Sequence, residues 1–171
     1  MIILKYLFLI MILLGTSYIG FLVSKKYSNR VKDLKEMRRA LNFFEEKIKF
    51  TYEPIPDVFK EIASKMQPNI GKIFKDGAIK MEENSTSAGE AWEEALKNEN
   101  TAFTKEDNEI LKGLSKMLGK TTVDGQVSEI RLTSKFLDVQ IKEAEKEKTK
   151  NEKMYKTLGA TIGFAIVIVL I

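Results

Sequence analysis

The apolar residues of this chain follow two regimes. At each end they form an uncharged run: Tyr6 to Ser24 reads YLFLIMILLGTSYIGFLVS, and Thr157 to Ile171 reads TLGATIGFAIVIVLI. Between the runs they recur at helical spacing among charges. From Asn29 to about Tyr52, Leu34, Met37, Leu41, Phe44 and Ile48 step by three and four, which is one seam of an amphipathic helix. Phe43 and Phe50 lie off that seam and predict a second buried side. Glu53-Pro54-Ile55-Pro56 interrupts the pattern, and proline in a first turn suits a new helix start. Ile55, Val58, Phe59, Ile62, Ala63 and Met66 then mark a short helix. After Pro68, Ile70, Ile73, Phe74, Gly77 and Met81 mark a third.

Asn84-Ser85-Thr86 reads as a loop. Ser87 with Glu90 forms a capping box, in which the serine hydroxyl satisfies a free backbone N–H while the glutamate reaches back. Ala88, Ala91, Trp92, Ala95 and Leu96 follow at helical spacing. Thr104 with Asp107 begins a fifth helix carrying Ile110, Leu111, Leu114, Met117 and Leu118, which Gly119 should end. The sixth segment, from about Val123, puts Val127, Ile130, Ser134, Leu137, Ile141 and Ala144 on one seam. No proline follows, so it is expected to run on into the terminal apolar run. No alternating strand pattern of useful length occurs. The expected fold is all-α: a bundle of about six helices over 25–156, flanked by transmembrane helices at 1–24 and 157–171.

At about 1.5 Å per residue the first run covers roughly 28 Å, close to the roughly 30 Å hydrocarbon core of a bilayer. A cleaved signal peptide is the rival reading, with Lys5 as a minimal basic region. The run exceeds a typical signal core, however, and Gly15-Thr16-Ser17 is a loose cleavage site, which favours an uncleaved anchor. The second run covers only about 22 Å. Snorkelling of Lys156 and the apolar reach of Met154 and Tyr155 extend it; a hairpin dipping into one leaflet is the alternative. Thr16, Gly20 and Ser24 repeat small residues every fourth position, and Gly159 with Gly163 forms GxxxG; both patterns permit close helix approach in lipid. Orientation follows from charge. Lys25, Lys26, Arg30, Lys32, Lys35, Arg38 and Arg39 follow the first run, and Lys142, Lys146, Lys148, Lys150, Lys153 and Lys156 precede the second, so the positive-inside rule puts the middle in the cytoplasm and both termini outside. Lys25, Lys26, Lys153 and Lys156 are also placed to meet anionic lipid headgroups.

Composition narrows the chemistry. The 28 basic and 24 acidic residues are interleaved, which describes a solvated helical surface rather than a nucleic-acid groove. With neither cysteine nor histidine, the chain has no disulfide, thiolate nucleophile, Cys/His zinc site or lipoprotein-type cysteine anchor. Gly113 to Thr121 resembles a phosphate-binding loop, but five residues rather than four separate its glycines, and it closes a helix instead of opening one. Glu45-Glu46, Glu82-Glu83 and Glu93-Glu94 are adjacent carboxylates, and neighbours on a helix point about 100° apart. Trp92, the single tryptophan, is expected in the core. The alternative, with Glu93 beside it, is a partner contact.

Together these segments resemble the stage III sporulation protein AB family of endospore-forming bacteria. The likeness lies in Arg39-Ala40-Leu41 through Glu46 with Ile48, then in Tyr52-Glu53-Pro54-Ile55 and Ala91-Trp92-Glu93-Glu94-Ala95-Leu96. It continues in Leu118-Gly119 with Gln126 seven residues beyond, and in Lys153 through Gly159. Two positions depart: Glu53 stands where threonine is expected before proline, and Thr122 where aspartate is expected, with Asp124 the nearest substitute. The resemblance implies a fold like the cytoplasmic helical domain of the inner-membrane platform proteins of type II secretion and type IV pilus machines. It implies work in the channel complex between mother cell and forespore, in the mother-cell membrane facing the forespore. The expected partners are a cytoplasmic ATPase, stage III sporulation protein AA, and other membrane components of that complex. No active site and no cofactor are expected. Two other readings remain: a membrane-tethered helical scaffold of generic kind, and an anchored carboxylate enzyme acting on envelope polymers, which would need its domain outside.

Overall fold

Backbone donors in the apolar runs can be satisfied in lipid only within a helix or a closed barrel, and the chain takes the helical solution throughout. The computed structural model describes residues 2–51, 53–83, 86–97 and 100–170. Tyr52, Asn84, Ser85 and Ile171, all used above, lie outside the described residues, as does the side chain of Lys5. The elements are α1 (Ile2–Phe50), α2 (Ile55–Lys65), α3 (Pro68–Glu83), α4 (Ala88–Lys97), α5 (Lys105–Gly113), a 3-10 turn (Leu114–Lys116) and α6 (Val123–Leu170). No strand occurs among the described residues. The apolar runs are not separate elements but the outer parts of α1 and α6, because no proline interrupts either helix.

Two compact units result: Lys32–Lys142, and Met1–Val31 together with Glu143–Ile171. In the first unit the α1 seam behaves as its spacing requires, with Leu34, Met37, Leu41, Phe44 and Ile48 all buried. Phe44 starts an aromatic cluster centred on Phe59. The Phe59 ring lies 5.3 Å from Phe44, 5.1 Å from Phe74 and 5.9 Å from Trp92, each near edge-to-face. The proposed second buried side of α1 does not form. Phe50 is 68% exposed, since α1 ends there and no element packs over it. Phe43 is half-buried under the ammonium groups of Lys47 and Lys65.

The helix starts follow local chemistry. Pro54 precedes α2 with no side-chain cap, so Glu53 does not replace a capping threonine; its carboxylate accepts from Lys47 at 3.3 Å. At α4 the Ser87 Oγ accepts from the Glu90 N–H (3.3 Å) and donates to its carboxylate (2.7 Å), which holds the Glu90 carboxyl below its ordinary range. The Thr104–Asp107 capping box is complete. At α6 the first-turn N–H of Gly125 goes to Thr122 Oγ1 at 3.3 Å, so Thr122 itself, not Asp124, serves that end. The fifth helix stops earlier than expected. It tightens after Gly113 into the 3-10 turn, and Gly119, at φ 71°, closes the following turn rather than the helix.

Two buried α1 carboxylates tie loops to the bundle. Asp33 accepts the Ala102 N–H at 2.8 Å, and Glu36 accepts the Gln67 N–H at 2.9 Å. Each satisfies a backbone N–H that lies outside the regular helices. Arg38–Asp138 (3.0 Å) and Arg131–Glu45 (2.6 Å) join α1 to α6, but all four side chains keep solvent contact, so each pair adds at most about 1 kcal/mol.

Candidate functional site

The second unit is a pair of helices meeting on their smallest residues. A side chain at Gly20 would place its Cβ 2.6 Å from the Tyr155 carbonyl oxygen and 3.0 Å from the Gly159 Cα. One at Gly159 would meet the Thr16 carbonyl oxygen at 2.8 Å and the Gly20 Cα at 3.0 Å. At Gly163 a Cβ would run into Thr16 Oγ1 and come within 2.9 Å of Leu13 Cδ1. The backbones touch, so no residue larger than glycine fits at the crossing without separating the helices. The structure thus brings Thr16, Gly20, Gly159 and Gly163 into one contact. Ser24, fully buried one turn further along, donates to the Phe21 carbonyl at 2.7 Å. Thr16 donates within its own helix to Ile12 and Leu13 (3.1 Å each). Neither hydroxyl bonds across the pair, and both are satisfied internally.

Beyond the small-residue contact the pair becomes polar. The Tyr27 and Tyr155 rings stack with centroids 5.8 Å apart. Arg30, buried to 6% exposure, meets Glu147 at 2.7 Å. A guanidinium so deeply placed needs its carboxylate, because an unpaired buried charge costs several kcal/mol. Neither residue carries a sequence signal for this role: they stand 117 positions apart on two charge-rich stretches. Lys25, Lys26, Lys153 and Lys156 are all exposed, and Lys156 pairs along its helix with Glu152 at 2.8 Å. On the outer faces Phe8, Met11, Leu14, Ile19, Phe164 and Ile168 stand open.

In the bundle, Trp92 has no exposed surface, and its Nε1–H donates to the Leu111 carbonyl at 2.8 Å. That places the ring in the core. Glu93 is half-buried and accepts from Ser115 Oγ at 2.6 Å. The adjacent carboxylates diverge: Glu45 goes to Arg131, Glu82 to Lys60, Glu93 to Ser115, and Glu94 to Lys80 at 2.6 Å. The Lys80 hydrogen bond holds the Glu94 carboxyl below the usual range. Glu45, Glu82, Glu93 and Glu94 are each engaged by a different neighbour, and Glu93 and Glu94 reach apart rather than into one site. Among the described residues no group of three His, Cys, Asp or Glu side chains is disposed to hold a metal ion.

These features define a class: an all-helical bundle protein whose first and last helices are long and apolar enough to cross a membrane. Within that class the chain belongs to the stage III sporulation protein AB family, whose model matches residues 5–171. It is similar to stage III sporulation protein AB of Bacillus subtilis (strain 168), with 29% identity over 169 residues covering 98% of this chain and 99% of that one. A solved structure of stage III sporulation protein AB shares the fold at a TM-score of 0.67 and 24% identity, across 70% of this chain and 96% of the other.

Proposed function

We propose that the chain is a non-enzymatic platform, or adaptor, of a sporulation channel complex. It is held in the mother-cell membrane facing the forespore by both terminal helices and docks a cytoplasmic ATPase of the stage III sporulation protein AA type beside other membrane components. One observation carries this reading. The helices that supply the apolar terminal runs, α1 and α6, also supply the bundle seams Leu34–Ile48 and Val127–Leu137. A bundle built on its own anchors suits a fixed docking base. The open apolar side chains of the terminal helices support burial in lipid, and the basic flanks Lys25, Lys26, Lys153 and Lys156 support a cytoplasmic bundle with both termini outside.

Two measurements test the proposal. In this cysteine-free chain, Asn100→Cys should resist an impermeant maleimide in intact mother-cell protoplasts and react after lysis; labelling of intact cells overturns the topology. The ATPase should co-sediment with membranes carrying the full-length protein and not with membranes lacking it. The continuous α6 could also pass motion of the docked ATPase to the membrane, and inserting a Gly-Ser segment between Glu152 and Lys156 separates that coupling from passive scaffolding. Coupled motion predicts that ATPase binding survives while forespore development fails. Full activity with the loosened joint leaves a passive scaffold.

A further inference from the structure

Helix α6 carries a second apolar stripe that its own bundle does not use. Leu132, Phe136 and Val139 are 45%, 50% and 60% exposed, whereas Val127, Ile130 and Leu137 on the opposite face are buried. At 100° per residue the three exposed side chains fall within an arc of about 60°, spaced i, i+4, i+7. This is the anchor spacing by which one amphipathic helix receives another. Contiguous exposed apolar side chains mark interaction sites, whereas apolar residues scattered singly over a surface do not. The edges of the stripe differ. Lys135 and Lys142 border the side toward α1, where Arg131 and Asp138 are engaged by Glu45 and Arg38. Both lysines are exposed and carry no ion pair among the described residues. The other edge holds half-buried Glu129.

We propose that this face docks an amphipathic helix of another protein, one that lays apolar residues on Leu132, Phe136 and Val139 and acidic residues on Lys135 and Lys142. Charge selects this occupant over two others. In an antiparallel pairing with a second copy, Lys135 and Lys142 would meet their own counterparts. In a parallel one, Glu129, which shares the heptad position of Phe136, would meet itself. A membrane-surface helix presents a broad apolar face with cations on both edges, whereas this stripe is narrow and cationic on one edge alone. The inference does not depend on the adaptor reading, because the stripe exists whatever complex the protein joins.

The test uses the full chain in zwitterionic nanodiscs and two fluorescent helical peptides. Both carry leucines at i, i+4 and i+7; one has flanking glutamates, the other flanking lysines. The acidic peptide should bind saturably. Phe136→Ser should weaken it by about ten-fold or more, as should Val139→Ser, with the helical circular dichroism unchanged. Lys135→Glu with Lys142→Glu should shift preference to the lysine-flanked peptide. Three results would overturn the proposal. One is absence of saturable binding, or binding that both serine variants leave intact. Another is self-association of the wild-type protein that Phe136→Ser abolishes, which makes the stripe a homomeric face. The third is a blue shift of a fluorophore at Val139→Cys on adding anionic lipid, which makes the stripe a lipid contact.

Discussion

Trp92 offers the sharpest measure of how tightly the bundle is packed. Its ring lies 5.9 Å from Phe59 and 5.3 Å from Phe74, with no solvent exposure. Trp92→Ala removes the indole from the centre of an aromatic cluster that helix backbones hold in place, so collapse is partial and the expected cost is about 3–5 kcal/mol. Trp92→Phe isolates the polar part. It keeps an aromatic ring but loses the Nε1–H bond to Leu111; that carbonyl stays paired, because it also accepts the Leu114 N–H. The conservative variant should therefore cost only about 1–2 kcal/mol, mostly from lost volume and one hydrogen bond. Urea unfolding of the Lys32–Lys142 unit, followed by circular dichroism at constant m, reads both numbers. Domains are typically stable by about 5–15 kcal/mol, so the alanine variant should lose a large share of the transition midpoint. Two results would refute the reasoning: an alanine variant within about 1 kcal/mol of the parent, or a phenylalanine variant as damaged as the alanine one. An unaltered midpoint with lost partner binding would restore the surface role.

Two further outcomes follow from the geometry. Gly20→Ile drives a side chain into the Tyr155 carbonyl and the Gly159 backbone, so cysteines placed at Tyr27 and Tyr155 should lose most of their crosslinking by a short bis-maleimide; an undiminished yield would mean the helices do not touch at Gly20. Glu61 accepts from Lys47 at 2.6 Å and Lys65 at 2.7 Å, and these hydrogen bonds lower its pKa. Its contribution is therefore present above the unfolded pKa and lost as pH falls through the folded one. Glu61→Gln should lower the neutral plateau and flatten the acid limb of the stability profile, so that variant and parent converge in acid; a neutral plateau and acid slope both unchanged would count against the pairing.

What the sequence made legible, and what it hid, divides by range. The α1 seam was readable because five apolar residues at three- and four-residue steps leave one burial solution, and the structure buries all five. Phe50 was misread because periodicity says which way a side chain points, not whether anything packs there. Gly119 was read as a helix end because glycine at φ 71° ends turns and helices alike, and only the 3-10 tightening after Gly113 tells the two apart. Asp33 and Glu36 looked like ordinary surface acids. Their partners, the N–H groups of Ala102 and Gln67, lie 69 and 31 positions away on loops, and no pattern of residue types announces a backbone donor. Small-residue spacing was visible on each terminal helix separately. The facing of Gly20 with Gly159 was not, because spacing on one helix does not fix the register of another.

Helix α6 carries that limit one step further. Its residues contain two apolar series on opposite faces: the long one from Val127 to Ala144, and the short one of Leu132, Phe136 and Val139. Read as a pattern, the long series absorbs attention, and the short one passes for scatter. In the fold the two are distinguished by what covers them, because α1 and its neighbours occupy one side and leave the other open. A helix with large apolar residues on both faces is either central to its own core or shared with another molecule. The burial of Ile130 and Leu137 beside the exposure of Phe136 and Val139 excludes the first possibility for this stretch. Lys135 and Lys142, without an ion pair among the described residues, then give the open face a sign, and with it a kind of partner. The same reasoning explains why Trp92 was the weaker candidate. An aromatic residue surrounded by small alanines at helical spacing is what a core needs, whereas an apolar residue bordered by idle lysines is what a core rejects.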